Sequence, residues 1–109
     1  MINYDYLSEI AGGDEEFIAE ILGDFLAQTP ELLTQIEMAV AGADAGALGA
    51  AAHTLKGSAR SVGADGFAEI AYELEQAGKS GDLTRAPEAL QRLQTYWRDL
   101  ADYLQQRAA

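Results

Sequence analysis

The sequence predicts an all-α fold, an antiparallel four-helix bundle with a short additional N-terminal helix. Three observations predict it. Apolar residues recur at spacings of three and four along nearly the whole chain and never settle into period-two alternation. Capping and stop signals fall between the periodic stretches and leave connections only a few residues long. With 109 residues, 49% of them apolar, the chain suits a single domain, 1–109, with one core.

The elements follow in order. A short helix over 4–10 is closed by Ala11-Gly12-Gly13. The second, over 14–41, opens on Asp14 as N-cap, with Glu15 and Glu16 where the helix dipole favours acids. It carries Phe17, Ile18, Ile21, Leu22, Phe25, Leu26, Leu32, Leu33, Ile36 and Val40 at helical spacing. Pro30 interrupts this pattern and predicts a kink near Gln28, or a break with Thr29 as a new cap. Asp44 caps a third helix over 44–61, whose buried stripe is Leu48, Ala52, Leu55, Ala59 and, just beyond it, Val62. The fourth, over 65–78, carries Phe67, Ile70, Ala71, Leu74 and Ala77; Gly78 and the turn-like run KSGD end it. The fifth, over 86–106, has Pro87 in its first turn and Leu90, Leu93, Trp97, Leu100 and Leu104 on one face.

Charge and composition exclude several classes of function. A net charge of −11 argues against nucleic acid, which needs clustered cations. No stretch approaches the roughly 20 apolar residues of a membrane span, and the N-terminus MINYDYLSE does not read as a signal peptide. Cysteine is absent and there is one histidine, a poor basis for a metal site. The expectation is a cytoplasmic monomer. The cations are placed unevenly: residues 1–55 hold ten acids and no Lys or Arg, and the first two bases, Lys56 and Arg60, follow the single histidine, His53.

His53 lies off the buried stripe of its helix, so the imidazole is expected to point outward. Its neighbours one turn away are Gly49, Ala50, Lys56 and Gly57, with Arg60 two turns on. Each glycine costs a helix interior about 1 kcal/mol relative to alanine, so Gly46, Gly49 and Gly57 in one helix imply that something approaches its backbone closely. A neutral imidazole is a good nucleophile near neutral pH. If it attacks phosphorus, a lysine one turn on can offset the charge it gains, and a glycine keeps the approach open. The same histidine could be an ordinary surface residue, and spacing does not separate the two readings.

The run His53-Thr54-Leu55-Lys56-Gly57-Ser58-Ala59, followed by Val62-Gly63-Ala64, resembles the signature of the histidine phosphotransfer (HPt) domain family. The likeness extends over the chain, through the run from Phe25 to Leu33 and the pair Leu74-Glu75. It implies that His53 accepts a phosphoryl group from the aspartate of one receiver domain and passes it to another. Lys56 would sit near the phosphoryl oxygens, and Gly57, with Gly49, would leave room for the receiver. Glu75 falls where the family often has Glu or Gln beside the ring; it either orients His53 or is a solvated helix acid. Arg60 touches the partner or the phosphoryl group, or faces water, and Ser58 reads as a local packing residue.

The resemblance further implies a phosphocarrier without catalytic activity of its own. The receivers of response regulators and hybrid kinases would supply aspartate and magnesium, so no cofactor is expected on this chain. Docking is expected around His53, helped by an apolar patch from the second and third helices, for which Ile18, Leu22 and Phe25 are candidates as much as for the core. Three alternatives stand beside this: a phosphorylation-independent adaptor for receivers, the N-terminal phosphoacceptor module of a chemotaxis-type kinase, and a helical enzyme with His53 as general base. A free-standing module is the simplest expectation.

Overall fold

The computed structural model describes residues 1–108. Among them every regular element is helical: α1 Tyr4–Ile10, α2 Glu15–Ala41, α3 Ala45–Ser61, α4 Asp65–Ser80 and α5 Ala86–Ala108. Short polar side chains start three of these helices by accepting otherwise unpaired backbone N–H groups. Asn3 caps α1, Asp14 takes the N–H groups of Glu16 and Phe17, and Asp44 takes that of Ala47.

α3 packs against α2 and α4, α4 against α5, and α5 back against α2. The pairings run in opposite chain directions. Gly49 meets Gly78 while Lys56 meets Tyr72, and Phe25 meets Trp97 while Glu15 meets Arg107. The result is a rod of 42 × 22 × 17 Å. Its centre is an aromatic junction, with the Phe67 ring 6.2 Å from Phe25, 5.7 Å from Trp97 and 5.8 Å from Tyr96. α1 packs on α2, buries Leu7 completely, and is tied at its start by the Asn3 N–H donating to the Gly63 carbonyl at 2.8 Å. Gly63 has φ +75°, and a side chain there would crowd the Asn3 carbonyl. α1 therefore sits beyond the turn from α3 into α4, against α2. His53 is eight residues before the last residue of α3, about 12 Å along the helix axis from that turn.

Two expectations are corrected. Pro30 does not break α2, and Thr29 is not a cap: it is fully buried, its hydroxyl donating to the Phe25 carbonyl at 2.7 Å within a continuous helix. Proline in a helix interior costs about 3 kcal/mol. Burying Ile18, Leu22, Phe25, Leu33 and Ile36 along α2 contributes on the order of 10 kcal/mol, which carries the helix through it. Nor does Gly78 end α4. The helix continues to Ser80, and Gly81, at φ +79°, makes the left-handed cap. Phe17, read with the apolar stripe of α2, is about half exposed.

Candidate functional site

The stripe Leu48, Ala52, Leu55, Ala59 and Val62 is buried, and it turns His53 to the opposite side of α3. The His53 side chain is 66% exposed. What holds it comes from α4. Gly78 lies directly against α3; a Cβ on it would sit 2.6 Å from the Gly49 Cα and 2.8 Å from the Ala45 carbonyl oxygen. This close approach brings Glu75, one turn earlier on α4, under the imidazole. Gly49 is half-buried there and lines the groove beside His53; a methyl group on it would make only ordinary contact with Gly78.

Glu75 is fully buried, and its carboxylate gathers three partners. Oε2 lies 2.6 Å from His53 Nδ1 and 3.2 Å from Lys79 Nζ, while Oε1 lies 2.5 Å from Lys56 Nζ. These bonds more than offset the burial that would otherwise favour the neutral acid. The Lys56 hydrogen bond has the largest effect, the bonds from His53 and Lys79 add to it, and together they hold the Glu75 carboxyl down to about 2 from an ordinary 4.5. An ionised carboxylate only accepts, so Nδ1 carries the ring proton. The lone pair of the neutral imidazole is then on Nε2, on the ring edge away from Glu75.

Lys56 is only 14% exposed, its ammonium between the Glu75 carboxylate and the Tyr72 ring, 5.2 Å from the ring centroid. Gly57 is exposed, and a methyl group added to it would meet open space. Arg60 is exposed on the next turn, without an ion pair among the described residues. Ser58 is partly buried, its carbonyl accepting from the Ser61 hydroxyl. Of the apolar residues weighed for docking, Ile18, Leu22 and Phe25 are core; Met38, 70% exposed, instead flanks a groove between α2 and α3 lined by Ala47, Ala50, Ala51 and Thr54.

Sequence reasoning missed Lys79, Gly78 as a contact residue, and Tyr72. Lys79 had a signal: it stands four residues after Glu75, the spacing that pairs charges on one helix face. Among the described residues no group of three or more His, Cys, Asp or Glu side chains is placed to hold a metal ion.

Fold and site together define a small all-helical domain that presents one exposed imidazole on its surface, backed by a buried carboxylate. The chain belongs to the Hpt domain family, whose model matches residues 20–107. It is similar to the crystal structure of histidine-containing phosphotransfer protein B (HptB) from Pseudomonas aeruginosa PAO1, with a TM-score of 0.90 and 25% identity over 98% of this chain and 93% of that one. No curated protein matches its sequence. The chain is a phosphocarrier of the phosphorelay type.

Proposed function

We propose that His53 is the phosphoacceptor and that Nε2 is the atom that takes the phosphoryl group. The observation that carries this reading is the exposed imidazole whose Nδ1 is held by a fully buried, ionised Glu75 at 2.6 Å. The Nε2 lone pair attacks phosphorus of a receiver's aspartyl phosphate. The N–P bond forms, the acyl O–P bond breaks, and the aspartate carboxylate leaves with the electron pair. The ring turns cationic in that step, and Glu75 offsets the charge through the Nδ1–H it already accepts. In the return step a second receiver's aspartate attacks phosphorus, and the same proton helps the imidazole leave neutral.

Lys56 holds Glu75 ionised through its bond to Oε1. The receiver docks over the open backbone at Gly57 and the groove beside Gly49, near Arg60, with Met38 and the α2–α3 groove as the apolar part of its footprint. The bundle is read as four antiparallel helices, α2 to α5, with α1 across the end away from His53, which leaves this face clear. The receiver supplies aspartate and magnesium, and the chain acts as a cytoplasmic monomer without a cofactor or a stand-alone activity. No helix among the described residues is long and apolar enough to cross a membrane.

The test is incubation with a phosphorylated receiver domain. Acid-labile, alkali-stable label is expected on His53 and should vanish in His53→Gln while helical circular dichroism persists. Label that remains in the variant would overturn the assignment. Tight receiver binding with no transfer in the unsubstituted protein would select the adaptor role.

A further inference from the structure

The sequence pattern singles out one lysine, Lys56, as the partner of the phosphoryl group, yet two lysines reach the carboxylate under His53, and their surroundings differ. Lys56 is nearly enclosed. Its ammonium is the only partner of Glu75 Oε1 among the described residues, and the Tyr72 ring covers it. Lys79 is 63% exposed and shares Oε2 with His53 Nδ1 at 3.2 Å. A shallow groove of about 440 Å³ opens beside the imidazole, walled by Gly46, Gly49, Ala50 and Gly78, with Glu75 and Lys79 as its charged members. Lys56 does not line it.

We propose that Lys79, rather than Lys56, is the cation that contacts the phosphoryl group on His53, and that Lys56 is a positioning residue acting through Glu75. This rests on His53 being the phosphoacceptor. Two ammonium groups against one carboxylate leave the site one positive charge in surplus before transfer. The phosphoryl group brings about two negative charges. One cation must turn to it, and the consequences of turning are unequal. If Lys56 left, Glu75 Oε1 would remain buried without a donor, the costly case for a polar group. If Lys79 leaves, Oε2 keeps the His53 Nδ1–H and Oε1 keeps Lys56, so the carboxylate stays ionised and the ring stays oriented. Both Lys79 and the imidazole converge on one oxygen, which puts the lysine's flexible stem within reach of a group on the same ring. As the N–P bond forms and the O–P bond to the donor breaks, the Lys79 ammonium moves from Oε2 to a phosphoryl oxygen and keeps its protons.

Phosphoramidate, a small donor that needs no receiver surface, separates phosphoryl contact from docking. Lys79→Gln is expected to slow phosphorylation of His53 about three- to tenfold, the scale of a solvent-accessible charged hydrogen bond. In ³¹P NMR titration the variant should also move the phosphoryl group's second ionisation to higher pH, and Lys79→Arg should restore both. The His53 tautomer, read by ¹⁵N NMR in the unphosphorylated protein, should stay as it is in Lys79→Gln and shift in Lys56→Gln. An unchanged rate and ionisation in Lys79→Gln, or a phosphoryl ionisation that moves with Lys56→Gln alone, would overturn the inference and leave the phosphoacceptor standing. Absence of label on His53 in the unsubstituted protein would overturn both together.

Discussion

The two ends of α4 are built on opposite principles. Near its start, Phe67 is fully buried in the aromatic junction with Phe25, Tyr96 and Trp97, where apolar area and ring geometry stabilise the fold. Near its end, Glu75, Gly78 and Lys79 form a seam with α3 that buries a carboxylate and brings two backbones together through glycines. Burying an ion pair contributes little net stability, because desolvation offsets the attraction. The seam is therefore the part of the molecule shaped by what it positions, and the junction is the part that keeps α4 in place for it.

Removing the larger contribution tests this division first. Phe67→Ala should cost about 3–5 kcal/mol of unfolding free energy in urea titration. Phosphorylation of His53 per folded molecule should stay within about twofold, since no aromatic of the junction touches the imidazole's partners. A variant that remains folded but loses transfer would break the division.

Acid tests the seam directly. Glu75 is held at about 2 in the fold against 4.5 ordinarily, so as the pH falls the unfolded chain binds this proton first. Its contribution to stability is complete above about pH 4.5, declines below that, and is gone once the pH has fallen through about 2, where the folded carboxyl also protonates. The stability difference between the unsubstituted protein and Glu75→Gln should therefore narrow over this interval, as measured by urea titration at successive pH values. A difference constant from neutral pH to about pH 2 would show that the carboxylate is not held as described.

Gly78→Ala acts on the same seam through shape. The new methyl group would meet Gly49 and Ala45 backbone atoms, which cannot rotate away, so α3 and α4 must part. Overpacking costs about 1–3 kcal/mol, and the gain in helix propensity returns up to about 1 kcal/mol of it. The larger effect is on chemistry: with Glu75 drawn away from Nδ1, phosphorylation should fall at least about tenfold. Retained transfer together with an unchanged ¹⁵N tautomer signature would show that the glycine contact does not set the site.

The fold was legible because each helix advertises itself locally. Periodicity marked the buried stripe of α3, and Asp14 and Asp44 marked where helices begin. What failed were the punctuation residues whose meaning is tertiary. Pro30 and Gly78 both read as interruptions, yet α2 runs through the first on the strength of its buried face, and α4 keeps the second because α3 presses on it. The site was half legible. His53 off the stripe follows from one helix alone. The depth of Glu75 and the enclosure of Lys56 depend on how closely two helices approach, which no single-helix pattern contains. Lys79 was hidden because a glycine before it and the turn-like residues around it read as a helix end.

The smallest expected effect also has the opposite sign. Gly57 sits in the same helix as Gly49, one turn beyond His53, but a methyl group there would touch nothing within 4 Å. Packing gives this glycine no reason to exist, unlike Gly78, so its cost to the helix has to be explained by something that arrives from outside. Gly57→Ala should raise stability by about 0.5–1 kcal/mol in thermal or urea unfolding. Phosphorylation by phosphoramidate should be unchanged, because the Glu75 network is untouched, while transfer from a phosphorylated receiver should slow as the added methyl holds the two surfaces apart. If both donors react as before, the open backbone at Gly57 is not part of the docking footprint, and Gly49, pressed against Gly78, is left as the glycine that matters on this face.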